Sequence, residues 1–100
     1  MTSKQQEIIE TAIKSRHLIE FTYENLPRVV EPFLTGISTA GNLSLSGYQV
    51  AGGSGSGLPN WKLFTIAKIS NLTVKTETFN GVRERYNPQD KRMIKIFVRI

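Results

Sequence analysis

The chain has no cysteine and only one histidine, His17. Without cysteine, neither a disulfide framework nor a thiolate metal site can form. A single histidine also excludes a metal site built on a histidine pair, and it leaves few groups for acid–base chemistry near neutral pH. The sequence therefore predicts no metal site and indicates no cofactor.

Long apolar stretches are also missing. The longest apolar run, residues 96–98, has three members, whereas a membrane-spanning helix needs about 20. The first ten residues are polar from the start and lack the apolar segment of a secretory signal. We expect a cytoplasmic protein with no membrane partner.

Acidic residues are scarce in one half of the chain. Residues 1–50 hold four Lys or Arg against five Glu, a net charge of −1, while residues 51–100 hold nine Lys or Arg against three acids, a net charge of +6. Such asymmetry is typical either of a surface that binds a polyanion or of a basic solvated surface.

Residues 4–16 have the spacing of an amphipathic helix. Ile8, Ile9, Ala12 and Ile13 form one apolar stripe, and Ser3 with Gln6 resembles a capping box. A stripe on one helix must pack against other elements, and only the segments that follow are available.

From Leu18 onward, apolar residues recur with a period of two. The alternating segments span residues 18–23, 28–39, 43–50, 61–69, 72–79 and 93–100. Pro32 and Gly36 interrupt the second segment, where they predict a bulge or edge position followed by a sharp bend. One helix followed by five or six short, strongly bent antiparallel strands predicts a mainly β protein, a small barrel formed by a single domain over residues 1–100.

Two polar stretches separate the later strands. Residues 51–60 hold four glycines, but they lack the Gly-Lys-Ser/Thr ending of a phosphate-binding loop, so we interpret them as a connector. Residues 80–93 form a polar, basic stretch in which Asn87 and Pro88 resemble the start of one helical turn.

Rings next to cations are the candidate binding groups. Neighbours on a strand point to opposite faces, so one of Trp61 and Lys62 faces inward and the other outward. If Trp61 is exposed, it could stack a base, and if it is buried, it anchors the core. The same two alternatives apply to Tyr48 on the preceding strand. The candidate ligand-binding or nucleic-acid-binding residues are Tyr48, Trp61, Lys62, Lys68, Arg83 and Arg85.

Enzymatic patterns are weak. A serine–histidine–acid arrangement would need His17 beside a serine, but His17 sits at a helix-to-strand junction where a local hydrogen bond is the ordinary role. Glu20, Glu24 and Glu31 lie in turn-rich segments with no sign of burial. We expect no catalytic residues and no enzymatic activity.

The last strand admits two arrangements. Residues 93–100 have high β propensity and no proline, so the strand either closes the barrel or leaves an edge that pairs with another chain. The alternative function is therefore a protein–protein interaction module that forms a homodimer or docks on a larger regulatory protein through this strand.

The order of motifs resembles that of WYL domains. The matching positions are Phe21 with Tyr23, Arg28 with Glu31 and Pro32, the strand from Leu43 to Tyr48, Lys62 with Phe64, and Lys68 with Ile69. The resemblance covers about residues 8–80. The family's Trp-Tyr-Leu tripeptide aligns with Leu43, Ser44 and Leu45, so only its last residue is kept, and Gln49 and Val50 stand where the family often has a histidine.

The resemblance implies an Sm-like β-barrel of the kind found in bacterial transcription regulators. Such barrels are thought to sense a nucleic-acid or other anionic ligand through a basic cluster. The chain would then be a stand-alone regulatory module. Its partner would be single-stranded nucleic acid, a nucleotide or another anion, held by Lys62, Lys68, Arg83 and Arg85 beside Tyr48 or Trp61.

Overall fold

A computed structural model describes residues 4–52, 60–81, 86 and 93–100. One helix precedes six strands, and a 3₁₀ turn lies between the fourth and fifth strands. The elements are α1 (Lys4–Ser15), β1 (His17–Tyr23), β2 (Leu26–Ser38), β3 (Leu43–Gly52), β4 (Asn60–Thr65), the 3₁₀ turn (Ile66–Lys68), β5 (Ser70–Thr78) and β6 (Met93–Arg99). Within the described residues, no helix has the length and apolar character needed to cross a membrane.

Helix α1 forms where its apolar stripe predicts it. Ile9, Ala12 and Ile13 are buried, and Glu7 and Lys14 lie at the ends of the helix dipole that favour their charges. The helix stops one residue earlier than the sequence predicts, because Arg16 has a φ of 60°. That left-handed conformation ends a helix and turns the chain directly into β1.

All six strands belong to one antiparallel sheet. Five follow the order β4-β3-β2-β1-β5, and β6 pairs with β2. The prediction of a mainly β fold with one N-terminal helix and five or six antiparallel strands is confirmed, with six strands present. Among the described ladders, none joins the end strands β4 and β5, so closure into a barrel stays a prediction.

Strand β2 changes partner along one edge. Its first half pairs with β1 and its second half with β6, while β3 pairs along the other edge. Gly36 lies where β6 is bound, and a Cβ atom there would meet the backbone carbonyl oxygen of Lys95. Glycine is therefore required for the close approach of β6.

The main core lies between α1 and one face of the sheet. Phe21 and Phe64 are 1% exposed and meet edge to face with their ring centroids 5.0 Å apart. Val98 and Ile100, from the end of the chain, pack against the same cluster. We call this face of the sheet the core face and the opposite one the outer face.

Candidate functional site

The ladder between β3 and β4 separates the candidate residues onto two faces. Leu45 pairs with Phe64 on the core face, and Tyr48 pairs with Trp61 three positions along. An offset of three residues in an unbroken ladder reverses the side, so Tyr48 and Trp61 belong to the outer face. Lys62, next to Trp61, therefore shares the core face with Phe64.

Five rings meet on the outer face and form what we call the aromatic patch: Phe33, Tyr48, Trp61, Phe79 and Tyr86. Tyr86 stacks on Trp61 with 17° between the ring planes and 5.8 Å between centroids, and Tyr48 meets Trp61 edge to face at 5.5 Å. Phe33 lies 5.0 to 5.2 Å from Trp61, Phe79 and Tyr86. Tyr48, Trp61 and Tyr86 are half-buried, so part of each reaches the surface.

A break in register places Phe33 at the base of the patch. Pro32 pairs with Gly47 and Leu34 with Ser46, so Phe33 is an extra residue on β2. An extra residue bends a strand and redirects a side chain. The break lies next to Pro32, whose missing N–H cannot support a regular ladder, and Phe33 is 0% exposed.

The charges of two arginines act on Tyr86 in the aromatic patch. The Tyr86 hydroxyl donates a 2.9 Å hydrogen bond to the carbonyl oxygen of Ile100. Burial raises the pKa of the Tyr86 phenol above its ordinary value, and the positive charges of Arg99 and Arg16 act in the opposite direction. The Arg16 guanidinium donates a hydrogen bond to the carbonyl oxygen of Gly81 at 2.8 Å.

The raised pKa of Tyr86 leads to a testable pH dependence. The ordinary pKa of tyrosine is about 10. In a pH titration followed by tyrosinate absorbance, we expect Tyr86→Phe to remove an ionisation step that lies above that pH. Because the folded state disfavours the phenolate, the stability that Tyr86 contributes is complete below about pH 10 and is lost as the pH rises through the folded pKa. The difference in unfolding free energy between wild type and Tyr86→Phe should therefore shrink above that pH. If the ionisation step that Tyr86→Phe removes lies at or below the ordinary tyrosine pKa, the pKa of Tyr86 is not raised and this prediction is wrong.

The structure brings only some of the predicted binding residues together. Tyr48 and Trp61 are in contact, but Lys62 lies on the other face, where it is half-buried. Lys68 is exposed on the 3₁₀ turn. Arg83 and Arg85 lie outside the described residues.

The sequence did not single out the two cations whose charges act on Tyr86. Arg16 follows the helix and Arg99 lies on the last strand, and neither position indicates an influence on Tyr86. Arg99 carried one usable signal, because its alternation with Val98 and Ile100 predicts that it points away from the core.

The sequence singled out Arg28 only as part of the WYL-like motif, and the structure shows that it is buried. Arg28 is 5% exposed; it donates to the Gln49 Oε1 atom and to the backbone carbonyl of Tyr23, each at 3.2 Å. Its guanidinium lies over the rings of Tyr23 and Phe64 at 5.6 and 5.8 Å. Glu24 lies 3.5 Å away but is mostly exposed. These contacts hold the cation inside the core face, away from the aromatic patch.

The acid–base candidates His17 and Glu31 have different surroundings. The Nδ1 atom of His17 lies 2.9 Å from the carbonyl oxygen of Lys75, a hydrogen bond between neighbouring strands. Glu31, expected in a solvated segment, is 5% exposed instead. Across the part of the chain that the structure describes, no three His, Asp or Glu side chains are grouped to hold a metal ion.

Among the described residues, the aromatic patch gathers five rings on one surface, and the charges of Arg16 and Arg99 act on one of them, Tyr86. Comparison of the chain with protein-family models, with curated proteins and with solved structures found no match in any of the three.

Proposed function

We propose that this chain is a non-enzymatic binding module for an anionic ligand that carries a flat ring, such as a nucleotide or single-stranded nucleic acid, and that the aromatic patch is its site. One observation carries the proposal. The half-buried rings of Trp61 and Tyr86 stack on each other, and the positive charges of Arg99 and Arg16 act on the Tyr86 phenol.

The chemistry of these groups suits that ligand class. Aromatic rings on small β folds stack bases with little sequence preference, and neighbouring cations hold the phosphates. Arginine suits both tasks, because its planar group pairs with phosphate oxygens in a bidentate manner and also stacks on rings. The net charge of +6 over residues 51–100 would draw a polyanion toward this half of the chain.

The resemblance to WYL domains supports the same ligand class. Strands β3 and β4, which carry Tyr48 and Trp61, fall within the resembling stretch, whereas Arg99 lies beyond it. In this proposal the chain is a WYL-like, cytoplasmic regulatory module of bacterial transcription control, and Arg99 and Arg16 take the place that the sequence assigned to Lys62 and Lys68.

The only tryptophan of the chain provides the test. We expect titration with single-stranded oligothymidylate to quench Trp61 fluorescence, because a base that stacks at the patch changes the surroundings of the indole. Each phosphate that the protein neutralises should contribute a slope of about −0.7 to the log–log plot of the binding constant against salt. An unchanged fluorescence at low salt, together with no shift in a gel-mobility assay, would refute the proposal.

Single substitutions identify which cations take part. Arg99→Gln should weaken binding of all base sequences alike and lower the salt slope by the value of one phosphate, since phosphate contacts carry no sequence information. Lys14→Gln is the charge-matched control, because Lys14 is exposed on α1. If Lys62→Gln or Lys68→Gln weakens binding and Arg99→Gln does not, the ligand occupies a different face and the aromatic patch is not the site.

A further inference from the structure

We infer that the outward side of β6 is a docking surface for a partner protein, which contributes an extended segment whose apolar side chains are flanked by carboxylates. The surface consists of Ile94, Lys95, Phe97 and Arg99. It goes beyond the proposed function, because its apolar members lie outside the aromatic patch. Ile94 is 68% exposed and Phe97 is 41% exposed, a concentration of apolar side chains at the surface within four residues.

The way β6 is attached explains why these side chains face outward. Ile96, Val98 and Ile100 are half-buried, and the last two pack against the core. The ladder with β2 shifts register at Phe97 and again at Ile94, so each is an extra residue on β6. The core is thus filled by alternate residues, while both extra residues remain at the surface, where their burial is left to a partner.

The charges on β6 select the kind of partner. The Lys95 Nζ atom lies 5.3 Å from the centre of the Phe97 ring, Arg99 is exposed two residues further on, and the strand has no acidic residue. A second copy of this chain would bring the same cations and a formal net charge of +5 to the contact. Carboxylates on the partner would satisfy the cations and fix the register of binding.

Ile94 favours a protein over a nucleic acid. An aliphatic side chain does not stack bases as an aromatic ring does. Ile94 is the large apolar side chain with the greatest exposure among the described residues. The edge strand β5 offers a contrast: it is rich in threonine, and Lys75 and Glu77 pair at 3.6 Å. That mixture of charges is typical of an edge protected from association.

Fluorescence anisotropy of a labelled synthetic peptide in which aspartate alternates with leucine tests the inference on the full chain. We expect this peptide to bind, and a peptide with lysine at every aspartate position not to bind. Phe97→Ser and Ile94→Ser should each weaken binding about tenfold, since apolar anchors near the centre of an interface dominate its affinity. Lys95→Glu should weaken binding of the aspartate peptide as well.

Val74→Ser is the matched control, because Val74 is also 41% exposed but lies on β5; it should leave the peptide affinity unchanged. Equal affinity for the lysine peptide, or an equal loss with Val74→Ser, would overturn the inference. The inference would also be overturned if sedimentation showed a dimer of this chain that Phe97→Ser abolishes. It would equally be overturned if the aspartate peptide did not bind and Phe97→Ser instead lowered the affinity for oligothymidylate. Failure of oligothymidylate to quench Trp61 fluorescence bears only on the proposed function.

Discussion

Phe33→Ala should lower the free energy of unfolding by about 3–5 kcal/mol, the range for removing a buried aromatic side chain. Phe33 is fully buried and contacts three other rings of the aromatic patch, so its removal leaves a cavity beneath Trp61. Since a domain of this size is stabilised by roughly 5–15 kcal/mol in total, the loss is a large fraction. Chemical denaturation followed by Trp61 fluorescence and by circular dichroism measures it.

Phe97→Ala is the matched control, because it removes the same atoms from a ring that is 41% exposed. We expect it to cost less than about 1 kcal/mol, as surface substitutions generally do. Phe33→Leu keeps most of the volume, and it allows the test if the alanine variant fails to fold. Similar losses for Phe33→Ala and Phe97→Ala would show that the patch does not stabilise the fold.

Gly36→Ala should destabilise the attachment of β6. The added methyl group would meet the backbone carbonyl oxygen of Lys95, with the Cα atom of Ile96 only 3.2 Å away. A backbone group cannot move aside as the end of a flexible side chain can, so we expect a loss of about 3 kcal/mol, the upper part of the usual range for overpacking. Hydrogen exchange should show the amides of β6 losing protection before those of β1 and β3.

Gly41→Ala separates this clash from the general cost of replacing glycine. Gly41 has a φ of +84° and no atom within 4 Å of an added Cβ, so alanine there meets only backbone strain of about 1–2 kcal/mol. Protection of the β6 amides should be unchanged in that variant. If the two variants lower the protection of β6 equally, close packing at Gly36 is not what holds the strand.

Local patterns in the sequence predicted most of the elements. The apolar stripe of α1 and the alternation in all six strands depend only on neighbouring residues, and the observed bounds differ from the predicted ones by a few residues. The main exception is the segment 61–69, predicted as one strand. Its ladder with β3 ends at Thr65, where the backbone N–H bonds to the hydroxyl of Tyr23, and the chain then makes a 3₁₀ turn. A long-range contact of that kind leaves no local signature.

The candidate site was predicted only in part. Tyr48 and Trp61 were identified as rings on neighbouring strands, and the structure places them in contact. The sequence could not show which cations share a face with these rings, because alternation assigns Lys62 and Trp61 to opposite faces without saying which face holds other charges. Arg16 and Arg99, whose charges act on Tyr86, belong to segments far apart in the sequence.

The sequence alone determined the fold class, because a helical stripe and period-two alternation arise from residues within a few positions of one another. The tertiary structure decided which side chains share a face. A single extra residue in a ladder, as at Phe33, Ile94 and Phe97, sends a side chain to another surface, and such shifts depend on pairing between distant strands. The aromatic patch, the buried Arg28 and the outward side of β6 all follow from those shifts or from contacts between distant segments.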